Sequence, residues 1–169
     1  MDLYQAALAY TARYATSKEN LRRVLWRKLR RDARRNDQPD PETEPTEALI
    51  SSIISRLESI GAVDDTAYAE ALMRQLRAKG LSARAISSKL SAKGVPTEMA
   101  AALMAEHQTD EAEAEAARRY ARRRRLGPYR TGPASPEQRQ KDLAALCRAG
   151  FSYQIASAII ARVDDPPDF

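Results

Sequence analysis

Leu90-Ser91-Ala92-Lys93-Gly94-Val95-Pro96-Thr97-Glu98-Met99-Ala100-Ala101-Ala102-Leu103 lies without a gap over Leu146-Cys147-Arg148-Ala149-Gly150-Phe151-Ser152-Tyr153-Gln154-Ile155-Ala156-Ser157-Ala158-Ile159. Self-similarity at one constant offset marks a repeat architecture. Each copy reads as the end of a helix, a glycine able to take the left-handed backbone at the C′ position, an apolar residue and a second helix. The chain is expected to be built from small helical units.

Composition agrees. The 169 residues are 43% hydrophobic and 30% charged, which suits a folded, water-soluble chain. Aromatic residues make up only 6%, and Ala, Leu, Arg and Glu dominate. That balance favours helices packed through aliphatic side chains over sheets. The longest apolar stretches fall well short of the roughly 18 residues a membrane helix needs, and Met1 to Gln5 has neither a basic nor an apolar leader pattern. No membrane association is expected. One cysteine cannot form an internal disulfide, and one histidine contributes little to a zinc site, so a reducing cytoplasm without structural metal or cofactor is the expected setting.

Helix signals divide the chain. In the first unit, residues 1–61, Leu3, Ala6, Ala7 and Tyr10 fall at helical spacing. Thr16-Ser17-Lys18-Glu19 reads as a capping box with Thr16 as the cap, opening a helix striped by Leu21, Val24, Leu25 and Leu29. An acidic, proline-rich loop at 36–45 follows, then a helix marked by Leu49, Ile50, Ile53, Ile54, Leu57 and Ile60 that ends at Gly61. The second unit, 62–108, opens at Asp64-Asp65 as helix cap. It continues through Leu72, Met73 and Leu76 to Gly80, from Ser82 to Gly94, and from Pro96 to His107. The third, 109–169, runs from Asp110 to about Leu126, breaks at the loop 127–134, and restarts at Ser135-Pro136-Glu137-Gln138, a serine cap with proline at N1 and glutamine at N3. A last helix carries Ile155, Ala158 and Ile159, and Asp164 to Phe169 reads as a frayed tail. The expected fold is therefore all-α, three tandem three-helix repeats in an elongated, curved array, since units this small have little core of their own. Repeats with polar outer faces need not dimerise, so a monomer is expected.

The net charge of +5 is modest but uneven. Arg22, Arg23, Arg27, Lys28, Arg30, Arg31, Arg34 and Arg35 crowd one helix; Arg118, Arg119, Arg122, Arg123, Arg124 and Arg125 crowd another. Such clusters are candidate surfaces for nucleic acid or for an acidic partner. Glu111 and Glu115 are placed to pair with part of the second cluster, while Arg118, Arg122 and Arg125 are expected on one face with Arg119 and Arg123 beside it. Trp26 lies off the leucine stripe and reads as a contact between units, or as a surface for base stacking. No catalytic set converges. Cys147 sits on an apolar stripe as a small core residue, and His107 lies at a helix C-terminus where an imidazole complements the dipole. A metal-dependent nuclease using Asp64 and Asp65 lacks further carboxylates at ligand spacing, and neither GxGxxG nor GxxxxGK[ST] is present. The expectation is a non-enzyme.

The order of motifs resembles the RecX family of recombinase regulators. The resemblance rests on Arg13-Tyr14-Ala15-Thr16-Ser17-Lys18-Glu19-Asn20-Leu21 and on Gly61-Ala62-Val63-Asp64-Asp65-Thr66-Ala67-Tyr68-Ala69. It continues in Lys79-Gly80-Leu81-Ser82-Ala83-Arg84-Ala85-Ile86, Lys93-Gly94-Val95 and Gly150-Phe151-Ser152. It spans nearly the whole chain, departing at the loops 36–45 and 127–133. It implies three tandem three-helix repeats and a protein that binds RecA along the filament groove on single-stranded DNA. Such a protein restrains filament growth, ATP hydrolysis, strand exchange and co-protease activity, and with them the SOS response, without catalytic residues of its own. The alternative from the arginine clusters alone is a helical protein that binds DNA directly, independently of RecA.

Overall fold

The computed structural model describes residues 2–39 and 41–161, and every regular element among them is helical. In chain order these are α1 (Leu3–Thr11), α2 (Lys18–Arg35), α3 (Glu44–Ser59), α4 (Asp65–Ala78), α5 (Ala83–Ala92), α6 (Thr97–His107), α7 (Asp110–Arg124), α8 (Pro136–Arg148) and α9 (Tyr153–Ala161). A single 3-10 turn, Gly127–Tyr129, follows α7. The fold is all-α and built on helical repeats. Asp40 and the expected tail from Asp164 to Phe169 lie outside the described residues.

The chain divides into two compact units, Met1–Glu70 with Ser91–Met99, and Ala71–Leu90 with Ala100–Phe169. In the first, Leu3 and Ala7 of α1, Leu21 and Leu25 of α2, and Ile50, Ile53, Ile54 and Leu57 of α3 close one core. Each such fully buried aliphatic side chain contributes about 1.5–3 kcal/mol relative to exposure. Trp26 packs within this unit against the same core, and its indole N–H donates to Glu47 Oε2 at 3.0 Å. That placement corrects the expectation that it bridges units, because the indole finds its polar partner on α3. In the second unit Ala116, Ala117 and Ala121 of α7, Leu146 of α8, and Ala156, Ile159 and Ile160 of α9 form the core with Phe151. Three alanines along α7 let α9 approach closely.

Helix starts follow side-chain chemistry, with two corrections. The cap of α2 is Ser17, which accepts the Asn20 N–H at 3.1 Å; Thr16 instead takes the Asn20 side-chain amide at 2.8 Å. Glu19 turns to Arg23 at 2.9 Å rather than back to the cap. Ser135 caps α8 through the Gln138 N–H at 3.2 Å, but the Gln138 side chain runs forward to Asp142 at 3.1 Å and closes no box. Thr43, Asp64 and Thr109 cap α3, α4 and α7 in the ordinary way.

The two copies of the opening repeat carry the same joint. Gly94 has φ +82°, Gly150 has φ +98°, and the residues after them, Val95 and Phe151, are buried. In the first unit Ser17 Oγ donates to the Lys93 carbonyl at 2.6 Å, and the Lys18 N–H donates to Asp65 Oδ1 at 2.7 Å. In the second, Ser82 Oγ donates to the Ala149 carbonyl at 2.7 Å, and the Ala83 N–H donates to Glu113 Oε1 at 3.0 Å. A Cβ on Gly94 would come within 2.8 Å of Glu19 Cβ; one on Gly150 would come within 2.5 Å of Ser82 Oγ. Glycine is required at both places by conformation and by space. Each joint therefore satisfies, with a serine and a carboxylate, orphan groups at two helix termini.

Candidate partner and nucleic-acid interface

The basic residues of α2 do three different things. Arg22 turns inward and pairs with Glu47 of α3 at 2.8 Å, and Lys28 pairs with Asp32 at 2.6 Å, holding the Asp32 carboxyl below its ordinary range. Arg23 is shared between Glu19 at 2.9 Å and the Ala92 carbonyl at 3.3 Å, and Arg30 reaches Glu42 at 2.6 Å. Arg27 bonds only a backbone carbonyl, that of Arg23, at 3.3 Å, and Arg31 stands 3.9 Å from Asp32. Arg34 and Arg35 are exposed beyond them. Arg27, Arg30, Arg31, Arg34 and Arg35 together line a shallow concavity of about 450 Å³.

The cluster on α7 is engaged differently. Glu115 takes both Arg118, at 2.8 Å, and Arg119, at 3.1 Å, and these bonds hold its carboxyl below the usual value. Arg122 lies over the Tyr129 ring at 5.3 Å; Arg123 and Arg124 lie over Tyr120 at 5.5 and 5.9 Å. Arg123 also donates to the Lys79 carbonyl. Arg125 corrects the expected face: it stands past the helix in the left-handed conformation, φ +54°, so it does not continue the line of Arg118 and Arg122. The groove beside Arg118, about 260 Å³, has apolar walls of Ala114, Ile155, Ala158 and Ile159.

The remaining polar candidates are structural. Asp64 caps α4 through the Ala67 N–H at 3.0 Å, while Asp65 faces Lys18. Among the described residues no group of three or more His, Cys, Asp or Glu side chains is placed to hold a metal ion. Among them, too, no helix is long and apolar enough to cross a membrane. Cys147 is half-buried against the second core, and His107 Nδ1 lies 3.1 Å from the Leu103 carbonyl in the last turn of α6.

Sequence reasoning missed two buried carboxylates. Glu113 receives the Arg77 guanidinium at 2.6 Å besides the Ala83 N–H. Asp142, 2% exposed, collects the Gly127 N–H at 2.9 Å, Arg130 at 2.8 Å and Gln138 at 3.1 Å. Burial pushes the Asp142 carboxyl up, but the bonds from Arg130, Gly127 and Gln138 outweigh it and hold the group below its ordinary value. This is what orders the turn after α7. A charged residue at a core-facing position of α8 was the available signal.

Residues 64–104 match the family profile described as RecX, second three-helix domain. Over 159 residues the chain is 42% identical to the regulatory protein RecX of Myxococcus xanthus, covering 94% of this chain and 83% of that one. The chain belongs to the RecX family. The regulatory protein RecX of Agrobacterium fabrum is 35% identical over 118 residues, 70% of this chain and 62% of that protein. The crystal structure of RecX from Lactobacillus salivarius superposes with a TM-score of 0.71 at 24% identity, over 95% of this chain and 94% of the other, which bears on the fold. A RecX-type regulator is thus the frame in which the two arginine clusters stand.

Proposed function

We propose that this chain is a noncatalytic regulator of RecA that binds the RecA filament on single-stranded DNA and inhibits its recombinase, ATPase and co-protease activities. Through these it regulates DNA repair and the SOS response in the cytoplasm. The observation that carries the reading is 42% identity, along 94% of the chain, to a regulatory protein RecX. Two features support it. The polar groups drawn together in the interior cap helices or pair with arginine, and the exposed charge is cationic along α2, as contact with a polyanion-bearing partner requires. Three repeats at 1–61, 62–108 and 109–169 would offer successive protomers of a filament successive surfaces of similar shape.

The experiment is the DNA-dependent ATPase of the cognate RecA, titrated with this protein at fixed salt. The expected result is inhibition at protein levels too low to sequester the DNA. Unchanged ATPase at saturating protein would overturn the proposal.

A further inference from the structure

We infer that the solvent face of α2, centred on Arg27, Arg30 and Arg34, is the surface that receives the phosphodiester backbone of a single strand, and that the α7 arginines are instead a brace within their own unit. This deepens the proposed function and rests on it only for where the strand comes from.

The spacing comes first. Arg23, Arg27, Arg30 and Arg34 recur at i, i+4, i+7 and i+11, so they form one row along α2, opposite the buried stripe of Leu21 and Leu25. The row spans about 16 Å at the helical rise, long enough to follow several consecutive phosphates. Within that row Arg23 and Arg30 pair with Glu19 and Glu42, while Arg27 bonds a backbone carbonyl alone. Among the described residues, no carboxylate comes within ion-pair distance of Arg27, Arg34 or Arg35, and the one nearest Arg31 is at 3.9 Å. On α7 Arg118 and Arg119 share Glu115, and Arg122, Arg123 and Arg124 lie against the Tyr129 and Tyr120 rings of their own unit, as Arg30 lies against Trp26 on α2; among the described residues neither a carboxylate nor a ring holds Arg34 or Arg35.

The kind of anion follows from what lines the face. Protein interfaces place apolar and aromatic anchors at their centre and deplete charge there. The concavity at the end of α2 is lined by five arginines, and the neighbouring one by Asn20, Arg23, Trp26, Arg27 and Arg30, with Arg30 over the half-buried Trp26 ring at 5.8 Å. A charge-dense face with one indole beside it is the reverse of a charge-depleted protein interface, whereas a phosphodiester strand uses guanidinium forks and loses little by staying hydrated.

The test compares Arg27→Gln with Arg34→Gln in one double variant against Arg119→Gln with Arg122→Gln in another, using a fluorescent single-stranded oligothymidylate without RecA. Affinity is measured across salt concentration, with polyglutamate as the stand-in for an acidic protein and circular dichroism to check the fold. Each strand phosphate neutralised contributes about 0.7 to the slope of log affinity against log salt. The α2 variant is expected to lose about 1.4 of that slope and bind more weakly at every salt concentration, with the α7 variant close to the parent. An unchanged slope in the α2 variant, an equal loss in the α7 variant, or a preference of the parent for polyglutamate over the oligonucleotide would each overturn the inference. The RecA ATPase titration is scored separately: its failure removes the proposed function, while the slope still decides which face meets phosphate.

Discussion

Ser82 reaches the Ala149 carbonyl at 2.7 Å across 67 residues of sequence while its own Oγ accepts the Ala85 N–H at 3.2 Å, so one hydroxyl closes two helix ends. Ser17 does the same for Lys93 and Asn20. Replacing Ser82 with Ala removes a cap and strands a carbonyl, and is expected to cost about 2 kcal/mol in denaturant unfolding. Ser135, an exposed cap bonded only to Gln138, serves as the reference: Ser135→Ala is expected to cost about 0.5–1 kcal/mol. Equal costs would deny the joint any share in stability.

Gly150→Ala places a methyl 2.5 Å from Ser82 Oγ at a φ of +98° and is expected to destabilise by more than the roughly 1–2 kcal/mol of the left-handed backbone alone. The clash needs the hydroxyl. The double variant with Ser82→Ala is therefore expected to cost clearly less than the sum of the singles, by about 1 kcal/mol, in a double-mutant cycle. Simple additivity would place the strain elsewhere.

The Asp142 carboxyl titrates below its ordinary value in the folded chain, so the folded state takes up that proton at lower pH than the unfolded state does. Its stabilising share is complete above the unfolded value, about pH 3.9, and is lost as pH falls through the folded value. Asp142→Ala is expected to cost about 3 kcal/mol at neutral pH, since Arg130 and the Gly127 N–H lose their acceptor. The gap between parent and variant should narrow in acid. Thermal melts from pH 7 to pH 2.5 measure it; a constant gap would assign the cost to packing.

Trp26, the single tryptophan, is tied to Glu47 and half-buried against the first core, which makes its fluorescence a local probe of that unit. Glu47→Ala is expected to shift the emission to longer wavelength and lower stability by about 1 kcal/mol, a small figure because Arg22 and Glu47 are both more than a third exposed. A silent emission spectrum would contradict the assignment of the indole.

Two helix ends depart from the joint. At the end of α2 the left-handed position is Asp37, φ +51°, where Gly94 and Gly150 stand in α5 and α8. At the start of α8, Pro136 occupies the place of Lys18 and Ala83 and has no N–H to donate. A second copy would find neither a glycine stop nor an N–H donor at these two helix ends, and sedimentation equilibrium is expected to give a monomer; a concentration-dependent series of oligomers would contradict this.

What the sequence determined by itself was everything local or periodic. The helices, their approximate bounds, the glycine stops, the Ser135-Pro136 start and the all-α class follow from propensity, capping and the 3.6-residue pattern, which act within a few residues. So did the position of each arginine on the chain. Tertiary structure alone decided which hydroxyl at Thr16-Ser17 became the cap, because the choice turns on a carbonyl at Lys93, 76 residues away. It also decided that Trp26 bonds to Glu47 of α3, that Asp65, Glu113 and Asp142 are interior acceptors, and that Arg34 meets no carboxylate among the described residues while Arg123 is bound to a carbonyl. Charge is written in the sequence; whether a charge is spent inside the fold or left for a partner depends on which distant group comes within about 3 Å of it, the reach of a hydrogen bond.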